Sequence, residues 1–190
     1  MSRLITYFRK LGYIDNSNDK IIEFGLHRLN HMILDLLFTF VCAWIMGNPF
    51  TGLLFEIAYT LIRVYAGGYH AATEKLCMYL TYFSTLLSIL LIFFLPVPIF
   101  IMHLMLLIIS MVIIILSPVE SANKPLAPQE KKYYYHKCMG ILLIEILLYL
   151  FLIWNHYTIY AKTICIALLL VAAGQLAEVI SCTRNPGKDD

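Results

Sequence analysis

The sequence predicts an all-α integral membrane protein, a bundle of six transmembrane helices preceded by an N-terminal amphipathic helix, and three observations carry that prediction. Hydrophobic residues make up 61% of the 190 and charged residues only 14%, with a mean hydropathy of +0.77. Soluble globular chains average roughly 45–50% apolar and about a quarter charged, so this chain has too few charges to cover a water-facing surface. Apolar segments recur at about the 17–25 residues that a bilayer crossing needs. Finally, the basic residues fall on one side if every segment crosses.

The elements follow in order. Leu4, Phe8 and Leu11 recur at helical spacing with Ile5 and Tyr7 beside them, which predicts a short helix lying on the membrane. Its basic face, Arg3, Arg9 and Lys10, turns toward anionic headgroups. A frayed polar tail is the alternative. The same three residues interrupt the apolar run that a signal peptide requires, so no cleaved leader is expected. Met32–Gly47 contains Asp35, and Phe50–Ala66 contains Glu56 and Arg63, with Gly47-Asn48-Pro49 as the turn between them. These two are full spans or, in the alternative of four spans plus two partly embedded helices, tilted segments packed inside the bundle. Leu76–Leu95 and Val97–Leu116 are strongly apolar and separated by Pro96-Val97-Pro98. Cys138–Trp154 and Ile159–Ile180 complete the six, carrying Glu145, Lys162 and Glu178. Between them runs the longest polar stretch, Ser117 to Lys137, where Pro118, Pro125 and Pro128 keep the first half from becoming helix. Its lysines and Tyr133–Tyr135 suit the headgroup level. No repeat or low-complexity segment is visible, and residues 1–190 read as one domain.

With a cytoplasmic N-terminus and six crossings, thirteen of the fourteen basic residues fall inside and only Lys162 lies near the outer face. That is the asymmetry of the positive-inside rule, and it predicts that both termini are cytoplasmic. The five cysteines, Cys42, Cys77, Cys138, Cys165 and Cys182, show no disulfide-framework or zinc spacing. Three lie near the reducing cytosol and two within helices, so free thiols are expected. A net charge of +2 and the lack of a nucleic-acid-binding motif give no nucleic-acid partner. Neither a P-loop nor a dinucleotide fingerprint is present, and no cofactor or metal is expected.

The segment with chemistry in it is Arg63-Val-Tyr-Ala-Gly67-Gly68-Tyr-His70-Ala-Ala-Thr-Glu74-Lys75-Leu-Cys77, which joins the second and third apolar segments. A Gly-Gly pair lets the backbone turn sharply. Cysteine catalysis needs a thiolate, a nearby imidazole can take its proton, and the positive end of a helix dipole favours the charged form. Seven residues along one straight helix climb about 10.5 Å at 1.5 Å per residue, so His70 and Cys77 form a dyad only if His70 leaves the helical path of Cys77. By itself the pair is equally an interfacial histidine beside a structural cysteine.

The surrounding pattern is similar to that of the accessory gene regulator B (AgrB) family. Gly67-Gly68-Tyr69-His70-Ala71, with Arg63 before and Cys77 after, resembles one signature. Pro118-Val119-Glu120-Ser121-Ala122-Asn123-Lys124-Pro125-Leu126 resembles a second, in a cytoplasmic loop, and the resemblance covers roughly Ile21 to Arg184. It implies a cysteine endopeptidase of the bacterial cell membrane, acting in quorum sensing. Such an enzyme cuts a small precursor peptide near its C-terminal part and helps close a cyclic thiolactone or lactone signal. By position it makes Cys77 the nucleophile and His70 its general base. Arg63, Gly67, Gly68 and Lys124 become candidate orienting or substrate-binding residues. The implied partners are the precursor peptide, the lipid bilayer and a second copy of the chain in a homodimer. A non-catalytic exporter of a signal peptide is the rival reading, and a membrane scaffold is a third.

The other ionisable residues have plainer readings beside the functional one. Glu74, four residues after His70, is placed to orient its imidazole, as a third group does in many triads, and equally to be solvated. Asp35, Glu56, His103 and Glu145 fall inside apolar segments and should face the bundle or a wet cavity. Glu56 and Arg63, seven apart, share a helix face and predict a structural charge network. His27 and His31, four apart, have metal-ligand spacing but no third ligand at matching spacing, which favours an interfacial pair.

Overall fold

The computed structural model describes residues 19–69, 73–120 and 126–184; the expected N-terminal amphipathic helix lies outside them. Among the described residues the secondary structure is helical, with α1 at Asp19–Ile45, α2 at Pro49–Ala66, α3 at Glu74–Phe94, α4 at Ile99–Leu116, α5 at Pro128–Trp154 and α6 at Thr158–Arg184. Five of these carry stretches long and apolar enough to cross a membrane: Gly25–Ile45, Lys75–Phe94, Ile99–Leu116, Pro128–Trp154 and Thr158–Thr183. Large apolar side chains on the outside, such as Phe100 and Trp154, are three-quarters or more exposed, a surface that lipid rather than water covers. The chain is the predicted all-α bundle, a multi-pass membrane protein.

Contacts divide the chain into two compact units, Met1–Phe38 and Thr39–Asp190. In the first, the rings of His27 and His31 meet edge-on with centroids 4.5 Å apart, one helical turn from each other. The second unit holds the rest of α1 and the other five helices.

Helix α1 ends where Gly47 takes φ +86°, a conformation open to glycine at little cost. The Gly47 and Asn48 amides donate to the Trp44 and Ala43 carbonyls at 2.8 and 3.0 Å, and Pro49 opens α2 at the first helical position, where its missing N–H costs nothing. The buried face of α2 repeats at helical spacing: Thr51, Gly52, Phe55, Glu56, Ala58, Ile62 and Ala66. A Cβ on Gly52 would stand 2.7 Å from the Ala43 Cβ and 2.8 Å from the Thr39 carbonyl oxygen, so the end of α1 and the start of α2 touch almost backbone to backbone.

That contact answers the charge question differently from the sequence. Glu56 does not pair with Arg63. Its carboxylate accepts hydrogen bonds from the hydroxyls of Thr39 at 3.1 Å and Thr60 at 3.0 Å, while Arg63 reaches the backbone beyond the end of α2. Seven residues put both on one face but about 10.5 Å apart along the axis, and each finds nearer partners.

Helix α6 lies at the centre of the second unit and packs against α2, α3, α4 and α5. Every residue from Thr163 to Leu168 is buried, so no face is left for lipid. Small residues, Ala161, Ala167 and Ala172 among them, let neighbours approach closely. Lys162, the lone outer cation of the charge count, donates to the Leu95 carbonyl at 2.8 Å, just past the end of α3, where a helix leaves carbonyls unsatisfied.

Two boundaries differ from those expected. Helix α1 starts at Asp19, well before Met32, because polar residues are admitted where a helix runs beyond the hydrocarbon. Helix α5 starts at Pro128, ten residues before Cys138. Proline ends helices but suits their first position, and the Glu130 carboxylate accepts from the Ala127 amide at 3.0 Å in the first turn. Tyr133–Tyr135 and their neighbouring lysines therefore ride on α5 instead of a loop.

Candidate active site

At the end of α2 the chain leaves the helix through two glycines in the left-handed region, Gly67 at φ +74° and Gly68 at φ +137°. Arg63, one turn back, folds its guanidinium over them. One Nη donates to the Gly67 carbonyl and the other to the Tyr69 carbonyl at 2.7 Å. Charge-assisted bonds of this kind are roughly twice as strong as neutral ones, and the planar fork fixes two carbonyls at once. Gly68 has no side chain for a direct reason: a Cβ there would overlap the guanidinium. The sequence marked Arg63, Gly67 and Gly68 as matching positions, and the fold brings all three together.

The second signature meets the first here. Gly67 and Val119 form an isolated parallel bridge, and the Val119 amide donates to the Ala66 carbonyl at 2.9 Å. A Cβ on Gly67 would overlap the Val119 carbonyl. From the other side, the Tyr69 amide donates to the Gly174 carbonyl of α6 at 2.9 Å. Buried Gln175 donates from Nε2 to the Ala66 carbonyl at 3.0 Å and to Ser117 Oγ at 2.9 Å. Ser117 Oγ also accepts from the Cys138 thiol at 3.4 Å. Two motifs separated by about fifty residues are thus held in one polar knot by α6. Sequence reading missed Ser117, Gly174 and Gln175. An amide after the long apolar run Ile164–Ala173 was the available signal for Gln175.

Beyond Val119, the Glu120 carboxylate accepts from the Leu126 amide at 3.1 Å and pairs with Lys131 of α5 at 2.9 Å. It thereby ties residue 120 to the start of α5. The Lys131 hydrogen bond, first among the causes, holds the Glu120 carboxyl below the usual carboxylate range. A depressed folded value means that the contribution is full above the ordinary carboxylate pKa of about 4.3 and fades as pH falls through the folded one. Because the pair is open to solvent, its effect on stability is small. In an NMR titration of labelled protein the Glu120 carboxyl carbon should titrate below an ordinary glutamate, and Lys131→Ala should raise its midpoint. An unmoved midpoint would show that Lys131 does not hold it.

Cys77 lies half-buried in the first turn of α3. Thr73, extended at φ −128° and ψ 144°, caps that helix and accepts from the Leu76 amide at 3.3 Å. The Cys77 amide is bonded to the Thr73 carbonyl at 3.0 Å, and the Cys77 carbonyl accepts from the Thr81 hydroxyl at 3.0 Å. Helix α3 begins only at Glu74. His70, Lys124 and the side chain of Glu74 lie outside the described residues. All five cysteines are free thiols.

The model of the family described as Accessory gene regulator B matches residues 1–179. A protein of Clostridium perfringens (strain SM101 / Type A), named as AgrB-like, is 23% identical over 187 residues, covering 87% of this chain and 82% of its own. No solved structure matches. The match runs through both signatures and well into the sixth helix, and the chain belongs to the accessory gene regulator B family, with a role in the agr quorum-sensing system.

Proposed function

We propose that the protein is a membrane-embedded cysteine endopeptidase that cleaves the C-terminal part of a quorum-sensing precursor peptide and promotes cyclisation of the remainder. The observation that carries this reading is the Arg63 clamp. It fixes the backbone up to Tyr69, the residue before His70, while Cys77 waits in the first turn of the next helix. Family membership supports the same chemistry.

The reaction has two acyl transfers. The Cys77 thiolate attacks the carbonyl carbon of the scissile bond, the C–N bond breaks, and His70 returns a proton to the leaving amine. The upstream part of the precursor is then a thioester on Cys77. An internal thiol or hydroxyl of the precursor attacks that thioester, expels the Cys77 thiolate and closes the ring. Water competes for the same acyl group, and a partly dry site at the bilayer surface favours the ring. The natural test substrate is the short amphipathic peptide with an acidic tail expected to be encoded beside this chain. Acid-quenched mixtures should show its acyl adduct on Cys77 alone, and an adduct on another cysteine would overturn the assignment.

The site faces the cytoplasm in this reading, with both termini on the same side, from the thirteen-to-one basic count. A single cysteine introduced at Lys131 should resist an impermeant thiol reagent on intact cells; labelling there would reverse the topology. The enzyme works as a homodimer, with lipid-facing helix surfaces of one copy covered by the other. Full activity from nanodiscs that mass photometry finds to hold only monomers would end that part of the proposal.

A further inference from the structure

We propose that Gln175 of α6 is a positioning residue for this reaction, setting the strand before His70 and the start of the second signature in one register. The inference rests on the peptidase reading and goes beyond it, because nothing in the two signatures includes Gln175.

Gln175 is fully buried among apolar neighbours, with Leu168, Val171 and Ala172 on the same stretch of α6. A primary amide in such a place is costly unless it is bonded; this one uses both Nε2 hydrogens, while its Oε1 has no hydrogen-bond partner among the described residues. One goes to the Ala66 carbonyl, the last of α2, and the other to Ser117 Oγ, the first residue after α4. Each acceptor has a second donor. Ala66 also receives the Val119 amide, and Ser117 also receives the Cys138 thiol. The neighbouring Gly174 carbonyl takes the Tyr69 amide. Consecutive residues of the central helix thus grip the Ala66–Tyr69 segment at both ends, and one of them also grips the segment bridged to it. Gln175 thus bonds directly to the residue that precedes each signature run, Ala66 before Gly67 and Ser117 before Pro118. Arg63 acts within its own segment, and Glu120 within the other.

Because both acceptors keep a second donor, removing the amide orphans no buried acceptor. Gln175→Leu preserves volume in an apolar setting and should leave the bundle folded while freeing the strand to shift. A 1 Å misplacement can cost about a hundredfold in rate, so the loss should appear in kcat, not in precursor binding.

The test uses the full chain in nanodiscs with the peptide encoded beside it, and iodoacetamide as a probe that needs no precursor. For Gln175→Leu we expect kcat at least tenfold lower with KM within twofold. The pH profile of Cys77 alkylation, read by mass spectrometry of its peptide, should move toward that of His70→Ala. Ser117→Ala, which removes one acceptor only, should lose less, and the double variant should lose no more than Gln175→Leu alone. Unchanged kcat and an unmoved alkylation profile in Gln175→Leu would overturn the proposal. So would a lower melting temperature with an unmoved profile in both variants, which would mark a purely structural role. If the wild-type chain cleaves nothing, the peptidase reading itself has failed. If the wild type and Gln175→Leu cleave alike, only this inference has.

Discussion

Cys77→Ala protein should release no C-terminal fragment from the precursor, a loss of at least about 10⁴-fold by analogy with removal of other nucleophiles. Binding should survive, because it rests on the helices and loops around the site and not on the sulfur. Cys77→Ser should fall almost as far, since a hydroxyl needs far more activation than a thiol. His70→Ala should cost about 10²–10⁴-fold, the usual share of general acid–base catalysis, and leave a thiol that still alkylates. Mass spectrometry of the released fragment reads all three. Continued release by Cys77→Ala would remove the nucleophile from the reaction and bring the exporter reading forward.

The second large effect belongs to the glycine pair, and the two glycines should fail differently. At Gly67 an added Cβ meets the Val119 backbone, which can move only if the whole second segment moves. Strained backbone costs about 1–3 kcal/mol and overpacking about 1–3 kcal/mol more, so Gly67→Ala should unfold at a clearly lower temperature. At Gly68 the nearest obstacle is the end of the flexible Arg63 side chain, which can swing away, with the Gly174 backbone carbon less close at 3.2 Å. Gly68→Ala should therefore lose less stability, about 1–3 kcal/mol, yet lose cleavage as severely as Arg63→Ala, because the clamp on Tyr69 opens. Thermal melts in nanodiscs beside cleavage rates separate the two cases. Equal melting points for both variants would mean that the different surroundings of the two glycines do not govern them.

The bundle was legible because hydrophobic length is a physical requirement of the bilayer, and the turns at Gly47-Asn48-Pro49 and Pro96-Val97-Pro98 punctuate it. The placement of α6 at the centre was not legible. Helix α4 is more apolar than α6 yet shows many side chains to lipid, so hydropathy cannot tell a core helix from a lipid-facing one when both surroundings are oily. Pro128 misled because proline carries opposite meanings inside a helix and at its first position. Glu56 and Arg63 misled because spacing defines a face, not a distance, and hydroxyls and carbonyls compete for charged groups. At the site, Arg63 and the two glycines stood out by pattern. Their partners on α6 did not, since a contact across more than a hundred residues leaves no trace in local spacing.

The central position of α6 also bears on how the protein is made. Synthesis runs from the N-terminus, so α2, α3, α4 and α5 leave the ribosome before the helix that all four enclose. Until α6 enters, the Gly67–Tyr69 strand lacks its Gly174 anchor and the Gln175 amide, and Ser117 has only the Cys138 thiol. A nascent chain therefore carries Cys77, the proposed nucleophile, without the scaffold that aligns the segment before His70. In the peptidase reading, cleavage must then wait until the central helix has been translated.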